Sequence, residues 1–470
     1  MISIDRLSDD DLLEIFHFYV DHPWHEFANE KEAIEAWQRL VHVCRCWRSV
    51  VFGSPRRLKL RLVCTANTRS RNPVDIWPAL PILILDYDLI GPVGSIVTLL
   101  ERSNLVHRIS QIRLWVTEWK DISKAMQIPF PELTDLELKA LSYYDEDKTE
   151  PVVPLSDSFL GGSAPQLRSL ELHRVPYPGL PKLLLSATHL TRLHLTSIPD
   201  SGYIPPGAMA ACLPTLTSLQ KLSILFLFPP PLPDQESQRR PPSIRTSLPV
   251  LDCFTFRGGG EYLEVLVARI DAPRLSDLDI TFFNDIVLVT PQFTRFISHT
   301  STLEVFDEAT VTLLESKASI ELSSAYGELN ARLKVSVYCR ELDWQLSFLE
   351  QVCTSSLPHL STLDDLFMLG RSWPQDWKDN IDYAQWLELL HSFPAVKNLY
   401  LSKELAPCVV TALQDLVAGR TTEVFPNLEN IFVEELQKSG HIQEDIGKFV
   451  AARQVTSHPV AVSRWDRDLV

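Results

Sequence analysis

The sequence predicts an α/β chain: a short all-α segment over residues 1–57, then an irregular α/β solenoid with a curved parallel sheet over residues 58–470. Three observations carry this. Near the N-terminus, two stretches space their apolar residues by three or four, the period of a helix. Through the rest of the chain a phrase of alternating leucines recurs, and alternation is the period of a strand. Between copies of the phrase lie helix-like stretches, and strand-then-helix units in series stack on one another.

The first helix opens at Leu7-Ser8-Asp9-Asp10-Asp11-Leu12-Leu13-Glu14-Ile15-Phe16. Ser8 is a good N-cap, and Asp11 stands three residues on, where the acid of a capping box belongs. Leu7 and Leu12 are placed for a hydrophobic staple. Asp9, Asp10 and Asp11 put negative charge at the positive end of the helix dipole. In the second helix, Trp37, Leu40, Cys44, Trp47 and Val51 mark one apolar face, widened by Val43 and Val50. Gly53-Ser54-Pro55 ends it. Two short helices cannot bury two apolar faces on each other alone, so surplus apolar surface predicts docking.

These segments resemble an F-box. That family's first helix begins Leu-Pro-x-Glu/Asp-[Leu/Ile]-Leu and ends in Ile-Phe, and its second reads Val-Cys-x-x-Trp-Arg. Here the second reads Val43-Cys44-Arg45-Cys46-Trp47-Arg48. The chain departs at Ser8, where proline is usual, and in a longer linker over residues 21–36. The run from Trp47 to Pro55 is similar to the large F-box families of mushroom-forming fungi. The resemblance covers about the first 55 residues. It implies docking onto the Skp-type adaptor of a cullin–RING ubiquitin ligase. Leu7, Leu12, Leu13, Ile15, Val43 and Trp47 are the apolar candidates, some facing the adaptor and others the interior.

The repeated phrase is Pro-x-Leu-x-x-Leu-x-Leu. It appears as Pro131-Glu132-Leu133-Thr134-Asp135-Leu136-Glu137-Leu138 and again from Pro165 to Leu172. Looser copies hold Leu190, Leu193 and Leu195, then Leu219, Leu222 and Ile224, then Leu251, Phe254 and Phe256. Others hold Leu275, Leu278 and Ile280, then Val396, Leu399 and Leu401, and finally Leu428, Ile431 and Val433. The first six copies are separated by 34, 23, 29, 32 and 24 residues. Leucine-rich repeats run about 20–29 residues, so the region is leucine-rich-repeat-like but irregular. The asparagine of a regular repeat is replaced by Leu141, Val175, Ile198, Phe283 and Leu436, so backbone bonds must close the turns. Helix-like stretches run over residues 260–270 and 292–299. Residues 143–154, 229–249 and 370–382 read as surface excursions. Arg56-Arg57-Leu58-Lys59-Leu60-Arg61 alternates and reads as a first edge strand with its cations in water.

Composition bounds the partners. Apolar residues make up 45% of the chain, enough for a core, and 33 prolines against 16 glycines favour set turns over flexible linkers. The net charge of −16 repels phosphate backbones and anionic lipid surfaces, so neither nucleic acid nor membrane is an expected partner. The eight cysteines form no CxxC pair, and several lie in apolar runs as reduced thiols do. No metal and no cofactor are expected. Residues 1–6 lack the charged start of a secretory signal, and no apolar run reaches the ~18–20 residues of a membrane span. The expected location is intracellular, cytoplasmic or nuclear.

No motif marks chemistry. His22-Pro23-Trp24-His25-Glu26 is not in the order of a metalloprotease motif and reads as a solvated loop. Gly258-Gly259-Gly260 lacks the lysine of a P-loop and reads as a strand-to-helix turn. The chain is expected to be no enzyme but a substrate-recognition subunit of an SCF-type ligase. The alternative is a non-catalytic repeat scaffold whose F-box acts outside ubiquitin transfer. The target is an unidentified protein. Positions between buried leucines line one sheet face: Asp135, Glu137 and Lys139, then Ser169, Glu171 and His173, ending at Asp277 and Asp279. Between these, Arg192, His194, Lys221 and Arg257 form a cationic group, with Ser223 and Thr255 among them. That group suits an acidic or phosphorylated target segment.

Overall fold

The computed structural model describes residues 7–21, 31, 34–65, 77, 80–86, 93–101, 105–116, 119–141, 153–229, 245–283, 290–324, 331–357, 360–371, 383–414, 416, 422–435 and 441–466. It divides into two compact units, Met1–Leu193 and His194–Val470. The motif-like run from His22 to Glu26 lies outside the described residues, as do Leu436 and most of the three surface excursions.

The first unit opens with α1 (Asp9–Asp21), α2 (Trp37–Val41) and α3 (Arg45–Gly53). The capping box forms as expected. Asp11 N–H donates to Ser8 Oγ at 3.2 Å, and Ser8 N–H donates to Asp11 Oδ2 at 3.0 Å. The second expected helix is broken in two. Cys44 takes an extended backbone, φ −156° and ψ 172°, and its Sγ accepts the Trp47 N–H, so it caps α3 instead of lining an apolar face. A small side chain that accepts a hydrogen bond competes with the helix it interrupts.

Five strands follow, all parallel and paired in chain order: β1 (Leu62–Cys64), β2 (Ile82–Asp86), β3 (Ile109–Val116), β4 (Asp135–Ala140) and β5 (Ser169–His173). The leucines of the phrase stack in register. Leu114 lies opposite Leu138, and Leu138 opposite Leu172. Helices α4 (Val93–Leu100), α5 (Trp119–Ala125) and α6 (Leu180–Leu184) fall between strands. The run from Arg56 to Arg61 is not an edge strand. Residues 55–59 form a turn, Lys59 has φ 48°, and Leu58 and Leu60 bury themselves among the N-terminal helices. The cations stay outward as expected, but the extended run starts only at Leu62.

In the second unit the strands are β6 (Arg192–Ile198, beginning at the last two residues of the first unit), β7 (Lys221–Phe226), β9 (Cys253–Gly258), β11 (Asp277–Phe283), β12 (Glu308–Leu314), β13 (Lys317–Ser323), β14 (Arg332–Tyr338), β15 (Asp365–Arg371), β16 (Asn398–Leu401), β17 (Asn430–Glu434) and β18 (Ala461–Trp465). The short strands β8 (Thr246–Ser247) and β10 (Ile270–Asp271) pair separately. The main sheet runs β6-β7-β9-β11-β14-β13-β12-β15-β16-β17-β18. The sheet is not purely parallel: β13 runs antiparallel to both β12 and β14. That insertion is invisible to a repeat reading, because the tight turn at Glu315 and Ser316 replaces a helix.

Helices α7 (Pro206–Cys212), α8 (Gly260–Val267), α9 (Pro291–Ser298), α10 (Leu342–Gln351), α11 (Tyr383–His391), α12 (Ala406–Gln414) and α13 (His441–Val455) alternate with these strands. Gly258 is the last residue of β9, where a Cβ would stand 2.6 Å from the Phe256 ring, and Gly259 caps α8. Neighbouring helices also cap one another. The Glu264 carboxylate on α8 accepts the Gln292 and Phe293 N–H groups at the start of α9, at 2.9 and 2.8 Å. Turns are closed by backbone bonds where the asparagine is missing. Leu141 N–H donates to the Val116 carbonyl, and Leu227 N–H to that of Ile198. The leucine-rich-repeat-like solenoid is therefore a property of the strands and their register.

Candidate interaction surfaces

At the N-terminal helices, burial sorts the six apolar candidates. Leu12 and Leu13 are interior, packed with Phe16, Trp37, Leu40, Val41, Leu58 and Leu60 in one core. Leu7 and Trp47 are half-buried against that core, and Trp47 lies 4.8 Å from the Phe16 ring. Ile15 and Val43 face water, at 49% and 59% exposure. Phe18, one turn from Ile15, is 52% exposed and escaped the sequence reading. It lies i+3 from Ile15, so the helical period alone marks it.

The same helices are tied to the first strand. Trp37 Nε1–H donates to the Arg61 carbonyl at 3.0 Å, and the Glu35 carboxylate accepts the Val63 N–H of β1 at 2.9 Å. Burial pushes the Glu35 carboxyl above its ordinary range. Arg57 reaches back to Asp10 and Glu14 on α1. An edge strand needs its free N–H groups covered, and here Glu35, in the turn before α2, covers one.

The polar sheet face of the first unit is closed on itself. Arg192 sits 3.6 Å from Asp135, which also accepts from Gln111 and Thr134. Lys139 pairs with Glu137 at 2.7 Å and lies over the Trp115 ring. Ser169 is buried, and Glu171 and His173 are half-buried. In the second unit Lys221 is exposed, while His194, Thr255 and Arg257 are half-buried and Ser223 is buried. Arg257 Nε–H donates to the Phe226 carbonyl at 3.0 Å. Asp277 and Asp279 share Arg332, at 2.8 and 3.7 Å, and Arg332 and Lys334 both reach Glu321. Burial still raises the Asp279 carboxyl above its ordinary range.

Two further features lie in the second unit. A cleft of about 460 Å³ is lined by Ser316, Tyr338, Cys339, Arg340, Glu341 and Trp344. On the last strands the face turns aromatic: Phe367, Tyr400 and Phe432 occupy one register row. The signal for that row is in the phrase itself, as Leu366-Phe367-Met368, Leu399-Tyr400-Leu401 and Ile431-Phe432-Val433.

Among the described residues, no three metal-binding side chains group together, and no helix is long and apolar enough to cross a membrane. No protein-family profile matches the chain, and no curated protein matches it in sequence. Among solved structures it is similar to the TLR13–ssRNA13 complex, at 12% identity and a TM-score of 0.29, over 79% of this chain and 45% of that one. It is also similar to the leucine-rich repeat-containing protein LegL7 from Legionella pneumophila, at 10% identity and a TM-score of 0.25, over 78% of this chain and 88% of that one.

Proposed function

We propose that the chain is a substrate-recognition subunit of an SCF-type cullin–RING ubiquitin ligase. In this reading the N-terminal helices are an F-box that docks the Skp-type adaptor, and the solenoid's sheet face holds a protein target. The observation that carries it is the exposure of Ile15 and Phe18 on α1, and of Val43 in the turn between α2 and α3, beside a core that holds Leu12, Leu13, Phe16, Trp37, Leu40 and Val41. Such side chains gain by burial against a partner, at roughly 25 cal/mol per Å². The subunit is non-catalytic and intracellular. It acts by proximity, raising the effective concentration of target lysines near the charged enzyme.

The test is co-purification of the full chain with a Skp-type adaptor and a cullin. The wild type is expected to retain both, and Ile15→Asp with Phe18→Asp to lose both while melting normally. Retention by the double variant, or no adaptor on the wild type, sinks the proposal. Adaptor without cullin favours the scaffold alternative.

A further inference from the structure

The row of rings on the last strands is built to an unusual flatness. Phe367 and Tyr400 stack at 4.2 Å between centroids, and Tyr400 and Phe432 at 4.6 Å, both with 9° between planes. Trp465 on β18 closes over the row, 5.9 Å from Phe367 and 5.6 Å from Tyr400. Trp465 is 7% exposed, and its indole N–H has no acceptor among the described residues.

Two positions earlier on the same strands, and so on the same face, stand Asp365, Asn398 and Asn430. Asn430 Nδ2–H donates to Asn398 Oδ1 at 2.8 Å, and Asn398 Nδ2–H donates to Asp365 Oδ1 at 2.7 Å. This chain of amides ends on a carboxylate. Directly opposite Asp365, on β12, stands Glu308. Like charges opposed across two strands repel. Among the described residues neither carboxylate has a direct ion pair, since Lys397 pairs with Asp364 and acts on Asp365 only from a distance, whereas Asp277, Asp279 and Glu321 are all paired directly. Burial, then Asp365, Asp307 and Glu321, push the Glu308 carboxyl above its ordinary range.

We propose that this stripe binds a protein segment carrying an arginine next to an apolar side chain. The guanidinium lies between Glu308 and Asp365, and its apolar neighbour lies along Tyr400 and Phe432. Arginine fits because it is planar, weakly hydrated and pairs with carboxylates through a fork of donors. An acidic or phosphorylated segment is repelled by the carboxylate pair, and a second copy of a chain with net charge −16 is disfavoured for the same reason. The proposal deepens the reading of the sheet face as the target surface.

The experiment presents the full chain to short apolar peptides that differ at one central residue: arginine, lysine, citrulline or glutamate. The arginine peptide is expected to bind at least about tenfold tighter than the citrulline peptide, the size of a charge-assisted contact. Glu308→Gln with Asp365→Asn should erase that preference while the variant melts at or above the wild-type temperature. Tyr400→Leu should weaken all four peptides, and Glu388→Gln, exposed on helix α11, should change nothing. Equal binding of arginine and citrulline, preference for glutamate, no binding at all, or an unchanged preference in the double variant overturns the proposal. Adaptor co-purification is read on the same preparations. Its loss with the arginine preference intact removes the ligase reading alone.

Discussion

The N-terminal helical segment and the last strands of the second unit both place large apolar side chains outside the leucine core, exposed in the first and half-buried or buried in the second. Ile15, Phe18 and Val43 each stand out from a core they do not join. Phe367, Tyr400 and Phe432 pack on one another and are largely covered by their own stacking. Exposed side chains of this kind suit burial in the partner's groove proposed above. A pre-stacked row loses little rotamer freedom on binding and presents a firm apolar edge beside the carboxylates, so that packing comes from the rings and charge selection from Glu308 and Asp365. The helical site therefore depends on surface burial, and the strand site on shape and charge.

That contrast can be broken at four places, taken from the largest effect down. Leu12→Ala with Leu13→Ala should cost roughly 2–5 kcal/mol for each residue, because both lie in the unit's own core. Ile15→Ala and Phe18→Ala should each change the melting temperature almost not at all. Chemical denaturation of the three variants separates interior from docking residues. If the two leucines prove silent in stability, burial has been assigned to the wrong face.

Tyr400→Ala removes the middle ring of the row and should cost about 2 kcal/mol, less than a fully buried aromatic because the ring is half-covered. By comparison Lys139→Ala, which breaks a partly exposed ion pair on the first unit's face, should cost under ~1 kcal/mol. Equal losses in urea melts would erase the distinction between a stacked and an ion-paired face.

Ser8→Ala removes the cap of α1 and should cost about 1 kcal/mol. Its bonds to Asp11 hold that carboxyl below its ordinary value of 3.8. Their contribution is complete above that value and is lost as pH falls through the lowered one. The stability difference between wild type and variant should therefore shrink on acidification.

Glu308→Gln has the smallest effect and the opposite sign. The folded carboxyl sits above its ordinary value of 4.5, so the native state binds the proton more tightly than the unfolded state does. The wild type loses stability from this group as pH rises past 4.5, and the variant does not. Melting temperatures across that window should diverge in the variant's favour. A variant that melts lower at neutral pH would mean Glu308 has a cation after all.

The buried half of the solenoid was legible because its physics is local. Leu133, Leu136 and Leu138, and their counterparts to Val433, all lie in the core as alternation requires. The capping box at Ser8 and Asp11 was legible for the same reason. What alternation misses is set by neighbours in space. Cys44 breaks a periodic helix through one Sγ contact, and Lys59 turns an alternating run away from the sheet. The β12–β13–β14 insertion has no phrase of its own. Arg192 and Arg257 carry charge in the sequence, but only the fold places Asp135 beside one and the Phe226 carbonyl beside the other. Leu12, Leu13, Ile15 and Val43 share one composition class, and only packing sorts them.

The most direct measurement is the affinity of purified Skp-type adaptor for the full chain, by calorimetry, with Ile15→Asp, Phe18→Asp and Val43→Asp against Leu185→Asp as a surface control, since Leu185 is also exposed, at 54%. The account predicts that the wild type and the control bind alike, and that each of the three others binds at least about tenfold more weakly with an unchanged melting temperature. Undiminished binding by all three, or no binding by the wild type, would contradict it.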